Sequence, residues 1–245
     1  MKKIIFPVFL FASTVLFAQS FEKKVGHFGK IIASPKINLV LVEGNEESVK
    51  IDYANVDPDK INVKVKHNKL HIYLDGSKFT EKQRRVQKDG WVNKESMYKN
   101  ASITAYVTYK KLNKLVVRGE QEVDVQGAIA NKKFKLSAYG ECNITMASLQ
   151  VDWFKAALYG QNTLKVKTGS AEVQKYKLFG ENKIDTQSIQ SSEITSSTYG
   201  ESRLKLNAEE NLKLWTFGES QVMVRGGAEV DKLTFGQVSI RKQPF

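Results

Sequence analysis

Hydrophobic and polar residues alternate with period two along most of the chain. Ile37, Leu39 and Leu41 form one run, closed by Glu43-Gly44-Asn45, and Val49, Ile51 and Tyr53 form the next. Ile61, Val63 and Val65 follow, then Leu70, Ile72 and Leu74 after His67-Asn68-Lys69, and finally Ile103, Ala105, Val107 and Tyr109. Strands with one buried face produce this pattern, and Gly, Asn and Asp between the runs supply turns. Residues 28–109 are therefore expected to form an N-terminal β region. The alternation lapses over residues 77–99, where Lys and Arg outnumber the acids. That stretch reads as an exposed basic excursion with room for a short helical piece and a turn at Asp89-Gly90. Trp91, Val92, Met97 and Tyr98 are expected to anchor its return.

From Leu115 onward one phrase recurs seven times: V-R-G-E, A-Y-G-E, L-Y-G-Q, L-F-G-E, T-Y-G-E, T-F-G-E and T-F-G-Q. Its glycines are Gly119, Gly140, Gly160, Gly180, Gly200, Gly218 and Gly236, with steps of 21, 20, 20, 20, 18 and 18 residues. A period this regular marks stacked repeats, each burying its apolar side against the next. Four residues after the glycine stand Ile144, Leu164, Ile184, Leu204, Val222 and Ile240. Six after it stand Met146, Val166, Leu206 and Val224, with Thr186 departing. Leu136, Tyr176 and Leu214 lie four before it, and Phe134, Phe154, Ile194 and Leu212 six before. Even offsets therefore face inward. The predicted fold class is all-β: a right-handed parallel β-helix, or solenoid, of about 20-residue rungs over residues 110–245, with an N-terminal β-strand cap. The glycine marks either a positive φ, a bend or bulge between strands, or an inward gap for a large neighbour.

Two rows flank the glycine. Before it run Tyr139, Tyr159, Phe179, Tyr199, Phe217 and Phe235. Straight-strand parity places these rings outside, where they are candidates to grip sugar rings or a partner; a bend folds them into a corner of the core, where stacking between rungs needs no ligand. After the glycine run Glu120, Glu141, Gln161, Glu181, Glu201, Glu219 and Gln237. In register these stand about 5 Å apart, and like charges directly opposite are unfavourable unless relieved. Lys183 and Arg203 offer that relief, and a row of calcium ions is the alternative. Tyr139, Tyr159, Phe179, Tyr199, Phe217 and Phe235, with Glu141, Glu181, Glu201 and Glu219, are the candidate binding face.

Composition adds limits. Lys2 and Lys3, an apolar run from Ile4, and Ala18 before Gln19 read as an export signal over residues 1–18. The run Ile4–Ala18 is short for a bilayer span, so the mature chain is expected to lack a transmembrane segment. Net charge is +12, or +10 without Lys2 and Lys3, which suits acidic glycans or lipid headgroups. An exported destination argues against nucleic acid. Cys142 is the sole cysteine, a small filler two residues after a repeat glycine, where other units carry Asn162, Asn182, Ser202 and Ser220. His27, His67 and His71 form no zinc pattern, and no nucleophile elbow or phosphate loop is present, so no cofactor or metal is expected. Asp124, Asp152, Asp185 and Glu172 are raw material for a polysaccharide-active enzyme, the runner-up reading, but nothing singles out a pair.

The order of an export signal, F-G-K-I-I-A-S-P-K-I-N-L-V-L-V-E-G-N at Phe28–Asn45, K-L-H-I-Y-L at Lys69–Leu74 and L-N-K-L-V-V-R-G at Leu112–Gly119 before the glycine units resembles the head GIN domain family. That family is also described as putative auto-transporter adhesin head domains of exported Bacteroidota proteins, and the resemblance runs from about Phe28 to Ile240. Y-G-E or F-G-E stands here where members often have G-S-G, and Lys110-Lys111 where a proline commonly precedes the leucine. The resemblance implies a β-helix-like exported domain linked to adhesion, with no catalytic residues to carry over. The expectation is an exported, non-catalytic binding, adhesion or scaffold module of the periplasm, outer-membrane surface or extracellular space. An envelope or host glycan, or a protein, would be its partner. A purely structural envelope protein is the third reading.

Overall fold

A computed structural model describes residues 19–88 and 90–243, so the leader read at residues 1–18 lies outside the described residues. The chain is built almost wholly of strands, as a β-solenoid. From Lys114 it coils through β10 (Lys114–Val166), β11 (Gly169–Asp185), β12 (Ile189–Arg225) and β13 (Glu229–Lys242), after nine shorter strands, β1 to β9. Successive rungs pair in parallel with the repeat glycines aligned: Gly160 on Gly180, Gly180 on Gly200, Gly218 on Gly236. The sequence period thus becomes the hydrogen-bond register between rungs, and identical positions stack.

That stacking makes the core. Ile144, Leu164, Ile184, Leu204 and Val222 are all fully buried, each worth about 1.5–3 kcal/mol relative to exposure. Phe134 and Phe154 stack with centroids 6.0 Å apart, and Tyr176 meets Phe154 edge-on at 6.1 Å. One polar knot interrupts the ladder. The Tyr176 hydroxyl donates to Gln174 Oε1 and lies 3.0 Å from Thr186 Oγ1, while Gln174 Nε2 donates to Ser191 Oγ at 2.5 Å. Thr186, the outlier in the apolar pattern, is thereby explained: it satisfies a buried phenol.

The N-terminal strands finish the stack. β2 (Lys30–Ala33) and β3 (Asn38–Glu43) pair in parallel with β10, and β6 (Lys69–Leu74) and β9 (Ser102–Tyr109) pair in parallel with β2 and β3. These four strands continue the coil. The chain then reverses: β4 (Ser48–Ala54) and β5 (Ile61–Val65) lie antiparallel to β9 and β6, and β1 (Gln19–Lys24) lies antiparallel to β4. The capping geometry belongs to β1, β4 and β5.

Within residues 77–99 the chain forms no helix among the described residues. β7 (Gln83–Lys88) and β8 (Trp91–Ser96) make a separate two-stranded antiparallel hairpin. Trp91, Val92 and Met97 are exposed, so they do not anchor its return; Tyr98 does, buried and donating to Asp75 O at 2.8 Å. Glu81 Oε1 accepts from the Tyr98 N–H at 3.1 Å and from Ser96 Oγ, closing the hairpin's base.

Candidate functional site

Each repeat glycine adopts positive φ, from +91° at Gly180 to +133° at Gly236. A Cβ at Gly180 would also lie 2.6 Å from Gly160 O of the rung beneath. The strand therefore bends there, and both the conformation and the close approach exclude a side chain. The bend leaves three consecutive positions outside the core: the aromatic, the glycine and the acid. The residue two after the glycine returns inward, as a polar ladder. Cys142 N–H donates to Asn162 Oδ1 at 3.1 Å, Asn162 Nδ2 to Asn182 Oδ1 at 3.2 Å, and Asn182 Nδ2 to Phe179 O at 3.2 Å. Ser202 and Ser220 continue it at 2.9 Å. Burial pushes the Cys142 thiol up to about 12, which keeps it protonated and inert.

The aromatic row lies outside and stacks on itself. Tyr139, Tyr159, Phe179, Tyr199, Phe217 and Phe235 form five successive pairs with centroids 4.8–5.1 Å apart and interplanar angles of 1–10°. Packing between rungs and an outward position are both realised; burial in the core is not. The stacking has a chemical consequence, because each inner ring spends both faces on its neighbours. Ring edges and the tyrosine hydroxyls face outward. The first unit places Arg118 in this row, 4.7 Å from the Tyr139 ring and 5.5 Å from that of Phe79. A guanidinium so placed caps the ladder as a cation over its end ring.

Past the bend, Gln161 lies opposite Glu181, Glu181 opposite Glu201, and Glu219 opposite Gln237. These side chains line an open groove of about 430 Å³. Lys183 and Arg203, opposite each other two residues further on, line the same groove. Among the described residues neither makes an ion pair with the acid row, whose repulsion is left to solvent. Asp124, Asp152, Asp185 and Glu172, the raw material of the enzymatic reading, do not line this groove. Among the described residues no three His, Cys, Asp or Glu side chains converge to hold a metal ion.

A second row went unread in the sequence. Five residues before each glycine stand Lys114, Lys135, Lys155, Lys175, Thr195, Lys213 and Asp231. The register carries the row backwards, with Lys30 opposite Lys114 and Lys69 opposite Lys30. The signal was present as lysine at a fixed offset. Only the register adds Lys30 and Lys69, which belong to no glycine unit. Near this end Lys23, Lys64, Lys66, Lys69 and Lys78 line a pocket of about 580 Å³ with His71 and Tyr73. Burial, followed by the charges of Lys78, Lys69, Arg118 and Lys30, holds the His71 imidazole down at about 4. Ser34 Oγ donates to Lys78 O at 2.7 Å and so accepts from His71 Nε2–H at 3.0 Å, which sets the neutral tautomer.

A family described as "Putative auto-transporter adhesin, head GIN domain" matches residues 27–228. The chain belongs to this family. Solved structures share the fold of this chain. A putative adhesin from Bacteroides fragilis superposes with a TM-score of 0.71 at 19% identity, covering 93% of this chain and 97% of that one. A putative adhesin from Parabacteroides merdae gives 0.67 at 14%, over 92% and 95%. A putative lipid binding protein from Parabacteroides distasonis gives 0.58 at 14%, over 92% and 96%. No curated protein matches. Among the described residues no helix is long and apolar enough to cross a membrane.

Proposed function

We propose that this head GIN protein is an exported, non-catalytic adhesion module of the cell envelope, binding a hydroxyl-rich glycan strand along the groove past the glycine bend. The carrying observation is the in-register run Gln161, Glu181, Glu201, Glu219 and Gln237 along one side of that groove. Carboxylates and amides repeated once per rung offer sugar hydroxyls the same acceptors and donors at every step, which suits a polymer. The aromatic row borders the other side of the bend, where its ring edges and the hydroxyls of Tyr159 and Tyr199 give the rim polar and apolar contacts. The family's adhesin description supports the same reading.

The runner-up, hydrolysis by a carboxylate pair, needs an acid and a base in distinct environments. Glu181, Glu201 and Glu219 are each exposed and each directly follow a bend glycine, so nothing splits those roles. The test is an array of neutral and acidic envelope and host glycans probed with the chain Gln19–Phe245, with and without calcium. A hit lost in Glu181→Ala/Glu201→Ala, with unchanged circular dichroism, is the expected result. Release of shortened glycan from the same mixture would instead establish the enzyme, and no hit at all would sink the reading.

A further inference from the structure

We propose that the lysine row is a second binding surface, separate from the groove, that takes a linear acidic polysaccharide lying along the solenoid axis. Six neighbouring rungs present Lys69, Lys30, Lys114, Lys135, Lys155 and Lys175 in one line. At the usual strand spacing this line is about 24 Å long. Like charges directly opposite on neighbouring strands are unfavourable, so an alignment this long favours an anion that relieves it, although Lys175 already lies 4.8 Å from the Trp153 ring. The protein itself does not supply that anion. Among the described residues the lysines in ion pairs are Lys24, Lys36, Lys50, Lys99 and Lys205, none of them in the row. Acid relief of this row is available to the fold, for at its far end Asp231 lies opposite Lys213. Partial burial and the charges of Lys114, Lys69 and Arg118 lower the pKa of Lys30, as crowding of cations requires.

The shape of the face selects a single polymer strand. The aromatic row lies four residues along the same strands, about 13 Å away, and begins with Arg118, Tyr139 and Tyr159. Between the two rows stand Val116, Ser137 and Ala157, all shorter than their flanks. Lysines thus form one wall of a shallow trough, and the guanidinium and tyrosine edges form the other. Lys177 and Trp215 fill the middle row on later rungs and Val116 is covered, so the trough is open at Ser137 and Ala157. Sulfate or carboxylate groups would meet the lysine wall while sugar hydroxyls meet the tyrosines. The regular repeat of lysines, one per rung from Lys69 to Lys175, matches the regular spacing of charges along a polymer.

The test is calorimetric titration of the chain Gln19–Phe245 with a heparin decasaccharide, with uncharged dextran of equal length as reference. Lys135→Gln/Lys155→Gln/Lys175→Gln should weaken heparin binding about tenfold. Lys165→Gln/Lys167→Gln/Lys205→Gln, which removes the same charge beyond the bend, should change it less than about twofold. Lys135→Arg/Lys155→Arg/Lys175→Arg should retain binding, separating lost charge from a damaged fold. Glu181→Ala/Glu201→Ala, which tests the groove, should not weaken it, so either surface can fail alone. The proposal is overturned if heparin does not bind, if both glutamine triples lose binding equally, or if duplex DNA or phosphatidylglycerol vesicles bind as tightly as heparin.

Discussion

The two ends of the solenoid are finished differently. At the N-terminal end the chain reverses direction, so β4 and β5 cover the last parallel coil, and Ile31, Leu70 and Ile72 are fully buried. At the other end, among the described residues, β13 pairs only with β12. Its inward residues Val230, Val238 and Ile240 are half-buried, Leu233 and Phe235 are exposed, and Thr234 Oγ1 is buried without a partner. The same alternation of side chains thus produces a closed core in one place and a half-made one in the other. The difference is whether another layer lies above. A repeat rung derives its stability from neighbours on both sides, and the terminal rung has one.

The sharpest way to break this contrast is a cavity at each end. Ile72→Ala should cost about 4 kcal/mol in urea unfolding, while Ile240→Ala should cost less than about 1 kcal/mol because its site is already open to water. Equal losses would show that β13 is as well covered as the N-terminal coil. Next in size is the bend. Gly180→Ala forces a Cβ into a positive φ and onto the carbonyl oxygen of Gly160, and should cost about 3 kcal/mol. Gly236→Ala, strained alike, should cost about 1 kcal/mol, since β13 can detach alone. Amide hydrogen exchange should accordingly be faster in β13 than in β6. Tyr159→Ala removes two stacking contacts and should cost about 1 kcal/mol, with the groove's affinity as a second readout.

Acid should narrow the contrast from the other side. The His71 pKa in the fold, about 4, lies below its ordinary value of 6.5, so the fold favours the neutral ring. That contribution is fully present above pH 6.5 and is lost as pH falls from there toward 4. For a half-buried ring among Lys30, Lys69, Lys78 and Arg118 the loss is about 1 kcal/mol after allowance for solvent screening. Thermal melts of the protein and of His71→Gln should converge in acid; a constant gap between them would remove His71 from the account.

The period and the inward offsets were legible because a parallel stack copies one sequence position onto itself, rung after rung. Ile144 over Leu164 over Ile184 needs only counting. The bend glycines were legible as punctuation, but their conformation was open, since one residue type serves a positive φ and a gap equally well. The excursion was misread at Trp91 and Val92, where apolar side chains suggested anchoring and the hairpin carries them into solvent. The lysine row was hidden for another reason: Lys30 and Lys69 lie in strands that share no glycine unit.

The chain's own order of residues determined the architecture, the rung length and which side chains face the core, because alternation and period are local properties that hydrophobic burial converts directly into strands and stacks. Tertiary structure decided three things. It kept the aromatic row outside while closing its faces, because the alternation runs unbroken up to each glycine and strand spacing suits ring stacking. It drew Lys69 and Lys30 into line with Lys114, because parallel pairing joins segments remote in sequence. It closed one end and left the other open, because covering a sheet takes another layer and only the N-terminal strands double back to provide one.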